Sequence, residues 1–535
     1  MFFGRTEEKK ILKERVAAFS SGFRQNIAVL GRPFIGKTSL LQDMLPDMQQ
    51  YNLVVVYAEC REEPFELFCH RFLGALLYQY LKLKNGISQR EDLKTLIKNS
   101  RKQLPNITQA AENIEGFLKK KDFDAAYDLL LELPKLVHAD SGVDCAVIIE
   151  EFDKLALYKL TNPFSVLGKK IMAQRNTFYI LTSSSVKQAR IILSEKLQLL
   201  FGNFEVIELG EFDFVSSSDF LSAKLEGFTM PEQYIKFIIN FTNGNPFYLD
   251  IVASKIKEIL LAQKKQRVTA ETLEQAFDEI MFDSAGKIYQ HFYGLVNAHC
   301  RNTNGVDILS ILALIAEGSC KTKDITMSLN SSDKSVVSAL SHLESVGMVE
   351  KMGVFNKIED PVFRFWLKNV YQKRRMDFTS DNSYRKEIFI SNLKKESLDF
   401  ARSSKEDMYE KIVDLFKSFG NDIIDIDRKR CVLPSFGDVA TRVIGENGPY
   451  IVCHSKGSNW ICQIRERKVT DKHVFDFIKD SKSGKYKFHK KVLIVIEGMD
   501  ENAKLLAKSS GVWAWNLKTL NRLLDFYEKH KVIKI

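Results

Sequence analysis

No C-x-x-C pair occurs among the eight cysteines, which are scattered at positions 60, 69, 145, 300, 320, 431, 453 and 462. That scatter argues against a zinc ribbon or a disulfide framework and fits a reducing compartment. No apolar run approaches the roughly 20 residues of a membrane span; Ile311-Leu312-Ala313-Leu314-Ile315-Ala316 is only long enough for a core helix segment. The opening stretch Met1–Lys10 has no secretory h-region, so a cytoplasmic protein with no membrane partner is expected. Charge of either sign is in no excess over residues 1–370, which hold 45 Lys and Arg against 45 Asp and Glu. The whole formal charge of +10 therefore lies in residues 371–535, with 33 cations against 23 acids. Such asymmetry hints at a nucleic-acid or acidic partner at that end. What remains is ordinary globular composition, 45% apolar and 27% charged, in a chain of 535 residues that is too long for one core.

The stretch Gly31-Arg32-Pro33-Phe34-Ile35-Gly36-Lys37-Thr38 reads G-x-x-x-x-G-K-T. Asn26–Leu30 before it suits a buried parallel strand, and Ser39 onward continues as a helix. Strand, glycine loop and helix together are the context of a phosphate-binding P-loop. Gly31 and Gly36 let the backbone curl with its N–H groups inward, and the helix N-terminus adds positive potential. Residues Gly31 to Ser39 are thus the expected nucleotide cradle, with Lys37 on the β/γ-phosphates and the Thr38 hydroxyl on Mg²⁺.

Further strands are expected at Leu53–Ala58, Ala146–Glu151, Asn176–Thr182 and Phe204–Leu209, with a long helical insertion over about 63–137. The third strand ends in Glu150-Glu151, the arrangement of a Walker B segment. Glu150 would support the metal and Glu151 would act as general base on the attacking water. The hydroxyl run Thr182-Ser183-Ser184-Ser185 closes the fourth strand, either to touch the γ-phosphate or as a plain loop. Strands alternating with helices imply a three-layer α/β domain over 1–211, with a parallel sheet and its ligands at the C-terminal strand edges.

Residues 212–300 read as helices, punctuated at Gly244-Asn245-Pro246. Residues 301–371 read as a winged helix, with Ser331 or Ser332 capping the third helix. That helix offers only Lys334 and His342 as cations, so DNA reading and protein packing both stand. Phe363-Arg364-Phe365-Trp366 is expected to pack on the winged helix, and Lys373-Arg374-Arg375 to form a linker face or a phosphate contact. Residues 385–535 read as a second α/β unit.

Phe3-Gly4-Arg5, the P-loop, the acid-tipped strand, Leu181-Thr182-Ser183-Ser184, Gly244-Asn245-Pro246 and the winged helix occur in this order. The chain thereby resembles P-loop ATPases of the STAND class, relatives of AAA+ and origin-recognition ATPases. The resemblance implies ATP/ADP and Mg²⁺ as ligands, with Gly4, Arg5 and Pro246 near the adenine. Such proteins carry Asp where this chain has Glu150, so slow hydrolysis is expected. The tail resembles the restriction-endonuclease-like domain often attached to them. Its metal pattern is degraded here to Asp438 with Gln463-Ile464-Arg465, which Glu410 would complete. Gln brings no charge to a hard cation, and Arg cannot give up its proton. The reading is a switch ATPase associated with DNA through residues 371–535. Its alternatives are a nucleotide-gated scaffold that binds protein or itself, and an ATP-gated metal-dependent nuclease.

Overall fold

Four short apolar runs, each able to bury both faces, and one edge strand build the first sheet. The computed structural model describes residues 3–85, 91–197, 204–300, 307–376, 381–403, 405–426, 429–444, 448–482 and 487–532; Met1 and Phe2 of the opening stretch lie outside them. The chain divides into two units, Met1–Glu211 and Phe212–Ile535.

In the first unit, β1 (Asn26–Leu30), β2 (Val54–Glu59), β3 (Cys145–Glu150), β4 (Thr177–Ser183) and β5 (Phe204–Glu208) form one parallel sheet in the order β2-β3-β4-β1-β5. Strand alternation sends Ile27 and Val29 to one face, where α1 (Thr6–Ser20) and α2 (Lys37–Gln49) supply Leu12, Val16, Leu40 and Met44. Ala28 and Leu30 go to the other face. There α3 (Phe65–Asn85), α4 (Leu93–Ser100), α5 (Pro105–Lys119) and α6 (Phe123–Ser141) form the expected helical insertion, followed by α7 (Pro163–Ala173). Phe68, Phe72, Leu76 and Leu77, at helical spacing along α3, are buried in that core. The strand order sets β4 between β1 and β3. The end of β4 therefore opens between the glycine loop after β1 and the acids closing β3.

The second unit begins with helices Phe214–Lys224, Glu232–Thr242, Pro246–Gln263, Ala270–Phe277 and Lys287–His299. Three more (Ile308–Ala316, Thr322–Leu329, Asp333–Ser345) precede a hairpin of β6 (Glu350–Met352) and β7 (Phe355–Lys357). Ser332, not Ser331, is the N-cap, its side chain accepting from the Ser335 N–H. The aromatics of 363–366, expected on the winged helix, place their ring contacts on the helix Lys287–His299 instead: the Phe363 and Trp366 rings lie 4.9 and 5.5 Å from that of Phe292.

A second hairpin, β8 (Asp422–Ile426) with β9 (Lys429–Leu433), leads into a mixed sheet. That sheet runs β10 (Asp438–Val443), β11 (Pro449–His454), β12 (Trp460–Arg465), β13 (Lys490–Val495), β14 (Val512–Asn516). The first three are antiparallel neighbours and the last three parallel. Helices Met408–Lys417 and Leu517–Phe526 cover one face, Asp471–Asp480 and Glu501–Ser509 the other. The β6–β7 hairpin does not stand free. Val354 N–H donates to Ile423 O at 3.0 Å, and Met352 and Phe355 join the core of the mixed sheet. Lys357 is buried against Asp525 at 3.1 Å.

Candidate functional site

The two glycines of the loop are needed for different reasons. Gly36 sits at φ +98°, a left-handed conformation that side chains resist. Gly31 is a matter of space: a Cβ there would lie 2.8 Å from both Leu209 O and Ile35 Cγ2. Phe34 also takes a positive φ, 62°, and is 54% exposed, so the loop carries local strain beside the glycines. From behind, Arg5 holds the loop, its guanidinium donating to Ile35 O at 3.2 Å and Gly210 O at 2.5 Å. Gly4 precedes it at φ +67°. Arg32 pairs with Glu211 at 3.6 Å, and Pro33 and Phe34 form the exposed crown. Helix α2 starts at Lys37 with no acid in its first turn, which leaves its positive end uncompensated.

Lys37 is only 5% exposed. Its ammonium donates to Gly31 O (2.8 Å), Arg32 O (3.1 Å) and Ser184 Oγ (2.7 Å), and Glu151 Oε1 lies 3.8 Å away. Burial pulls this lysine below its ordinary range, against the opposing pull of Glu151, Glu150 and Asp153. A buried ammonium at a helix N-terminus, ringed by acceptors, is a cation placed for a polyanion.

The two acids divide as their positions in the strand dictate. Glu150 ends β3, is 5% exposed, and accepts on one oxygen from Thr38 Oγ1 and on the other from the Tyr57 phenol. Burial and then Glu150 hold that phenol well above the ordinary tyrosine range, so it stays a donor. Glu151 follows in a left-handed turn, φ 53°. Its carboxylate accepts from Ser184 N–H at 3.0 Å and from the Ser184 hydroxyl, while its own N–H reaches Thr182 Oγ1 at 3.4 Å. Thr38, Lys37, Glu150, Glu151 and Ser184 thus converge at the C-terminal ends of β1, β3 and β4.

Thr182 is fully buried, and its hydroxyl accepts from the Glu151 backbone N–H. The hydroxyl that meets Lys37 is that of Ser184, two residues on. Two further residues were not singled out in the sequence. Tyr57 reads there as one more strand residue. Asp153 follows the acid pair; its Oδ1 is buried without a hydrogen-bond partner among the described residues, and burial pushes its carboxyl up.

Pro246 lies in the second unit, in the first turn of its helix. Asn245 caps that helix by accepting from Phe247 N–H at 2.9 Å, and Gly244 takes φ +70° with its carbonyl bonded to Phe212 N–H.

The tail's expected metal pattern does not assemble. Asp438 faces His454 in the β10–β11 register, level with the start of β12, whereas Gln463 lies near its end, beyond Cys462 opposite Ile451. Two strands and about four residues of rise, on the order of 15 Å, separate them. Asp438 is exposed and pairs with Arg442 at 3.4 Å. A Glu-x-Lys triplet nearby in the sequence, Glu466-Arg467-Lys468, falls past the end of β12. Among the described residues no group of three or more His, Cys, Asp or Glu is placed to hold a metal. The basic run 373–375 is also engaged: Arg374 donates to Phe282 O at 2.5 Å, and Arg375 pairs with Asp307 at 2.6 Å. Among the described residues no helix is long and apolar enough to cross a membrane.

No protein-family model and no curated protein matches the sequence. Solved structures do. A Walker-type ATPase of Pyrococcus abyssi aligns at 18% identity and a TM-score of 0.44, over 68% of this chain and 96% of its own. The Aeropyrum pernix ORC2 protein, solved as ADPNP–ADP complexes, aligns at 15% and 0.42, over 70% and 96%. The RuvB Holliday junction branch migration motor of Thermotoga maritima aligns at 14% and 0.35, over 69% and 96%. Likeness of this degree settles no activity. On its own strand order and loop, the first unit has the fold of a P-loop ATPase.

Proposed function

We propose that the chain is a Mg·ATP-dependent switch ATPase of the STAND kind, slow in hydrolysis and associated with DNA through residues 371–535. One observation carries the ATPase reading: the Lys37 ammonium, the Thr38–Glu150 pair and the Ser184–Glu151 pair meet at one sheet edge. In this reading Gly31 to Ser39 cradle the phosphates, and Lys37 exchanges its carbonyl partners for β/γ-oxygens. Thr38 and Glu150 would hold Mg²⁺, which neutralises charge on the phosphates when bound. The donor set fits a hard cation: one hydroxyl and one carboxylate, already in contact. Glu151 is the general base. Slow turnover follows from its tether, because a carboxylate held by Ser184 N–H and hydroxyl must come free to orient water. Arg5 acts through the loop backbone, and Gly4 is assigned to the adenine. The second unit would divide into a helical lid (212–300), a winged helix (301–371) and a degenerate nuclease-like domain (385–535).

The test is ATP turnover in Glu151→Gln, which keeps the shape and removes the base. ATP should still bind while hydrolysis falls by about 10²-fold or more. If Glu150→Gln abolishes turnover and Glu151→Gln does not, the roles are reversed.

A second reading, a nucleotide-gated scaffold for protein, is favoured by the helix Asp333–Ser345. Its exposed residues are Asp333, Lys334, Val337, Ser338, Ser341 and Ser345, a poor match for phosphates. The separation of Asp438 from Gln463 weighs against the nuclease alternative.

A further inference from the structure

The cations of the tail are not equally available. Many are neutralised within the second unit: Lys386 on Asp278 (2.5 Å), Lys394 on Glu274 (3.2 Å), Lys504 on Glu501 (2.7 Å), Lys529 on Asp414 (2.7 Å). A different population gathers where the parallel strands begin. The connections into β12, β13 and β14 all arrive at this end, the first as a hairpin from the antiparallel β11 and the other two from crossover helices. The described residues of these connections, 455–459, 481–482, 487–489 and 510–511, together with the residues flanking them, carry Lys456, Lys482, Lys487, Lys490, Lys491 and Lys508. From 452 to 460, 481 to 491 and 506 to 513 there is no aspartate or glutamate. None of the six forms an ion pair with a described carboxylate, and Asp438, the acid facing His454 from β10, is occupied by Arg442. The opposite end of the same strands is mixed in sign, with Glu466, Glu497, Asp500 and Glu501 among its lysines and arginines.

This end is also braced. Asn459 donates its backbone N–H to His489 Nδ1 at 3.1 Å and its amide to Lys487 O at 3.4 Å, which ties the β12 entry to the β13 entry. Lys490 Nζ stands 4.5 Å from the centre of the half-buried Trp513 ring of β14. Neighbouring strand entries are ~4.8 Å apart, so the lysines form a row on the order of 10 Å. That is the span of several phosphates at ~3.4 Å per nucleotide along one strand.

We propose that this lysine-rich strand-entry end binds the phosphate backbone of a nucleic acid through Lys456, Lys482, Lys487, Lys490, Lys491 and Lys508. The proposal rests on the reading that the tail engages nucleic acid, and it names the surface. A lysine row with indole and imidazole rings, and with Asp438 paired to Arg442, suits backbone contact without base readout. It also lies away from Gln463 and Arg465, so it owes nothing to the degraded metal pattern.

The experiment is fluorescence anisotropy of the full-length chain with a labelled single strand and a labelled duplex, across a salt series. The variants are Lys456→Gln/Lys487→Gln/Lys491→Gln/Lys508→Gln and, as a control, Lys468→Gln/Lys472→Gln from the opposite end. Each lost phosphate contact lowers the log–log salt slope by about 0.9 on duplex or 0.7 on single strand. The fourfold variant should lose about 3 units of slope and at least tenfold in affinity on whichever probe binds, while the control loses far less. Single changes, Lys456→Gln and Lys508→Gln, should each take about one unit should the fourfold variant fail to fold. If the wild-type chain binds neither probe, the nucleic-acid reading of the tail fails. If it binds and the fourfold variant binds equally well with the same slope, that reading stands and this surface is wrong.

Discussion

Tyr57→Phe removes one hydroxyl and nothing else, and the structure says where the loss is felt. The phenol donates to one oxygen of Glu150, while Thr38 holds the other. Both groups sit low in the site, with Glu150 only 5% exposed. A hydrogen bond to a charged group contributes about 1.5–3 kcal/mol, and leaving a buried acceptor short of a partner costs a similar amount. Because the acid is longer by one methylene than an aspartate, it has an extra rotor for that phenol to fix. Two consequences follow. The variant should melt lower, by roughly 3–10 °C for a unit of this size. Its Mg²⁺ requirement should rise, since removing a partner that orients a metal-holding carboxylate typically costs 10–100-fold in metal affinity. The assays are thermal unfolding without nucleotide and a Mg²⁺ titration of ATP turnover. A variant with wild-type melting and an unchanged Mg²⁺ midpoint would refute the claim that Tyr57 orients Glu150 for metal.

Two other outcomes are expected. Gly31→Ala places a Cβ against the backbone oxygen of Leu209, which cannot swing aside, so overpacking should cost about 1–3 kcal/mol. Calorimetry should register that loss together with weakened ATP binding; a neutral substitution would mean that the loop lies elsewhere. Burial pulls Lys357 down to about 8, although Asp525 is 3.1 Å away. The unfolded chain keeps that proton up to about 10.4, so it binds more protons than the folded chain between pH 8 and 10.4. Stability of the wild type relative to Lys357→Met should therefore rise with pH across that window. Parallel pH–stability curves for the two proteins would contradict it.

How far the sequence reaches depends on what each position answers to. β1 to β4 are legible because strands buried on both faces read as unbroken apolar runs. Lys37, Thr38, Glu150 and Glu151 are legible because their spacing follows from the loop and the strand end. Tyr57 is not, since inside Val54–Glu59 nothing distinguishes a phenol that meets an acid from one that merely packs. The hydroxyl run at 182–185 shows that a hydroxyl stands at the strand end. Which one faces Lys37 depends on where β4 ends and turns, and that picks Ser184. β8 and β9 escape notice because the charged run Asp427-Arg428-Lys429-Arg430 separates two short apolar stretches, and packing on Met352 and Phe355 helps fix them. Asp438 and Gln463 look adjacent in a motif, but strand register decides their distance, and register is set by turns that the motif does not contain.

The central claim is that the loop after β1 binds the phosphates of ATP through Lys37. The most direct measurement is a titration of Mg·ATP, followed by calorimetry, into the wild-type chain and into Lys37→Ala. A buried ammonium that bonds phosphate oxygens contributes about 3 kcal/mol or more through charge-assisted hydrogen bonds. The account therefore predicts saturable binding by the wild type and affinity lower by at least about 100-fold in the variant. Equal affinity in the two proteins, or no binding by the wild type, would contradict it.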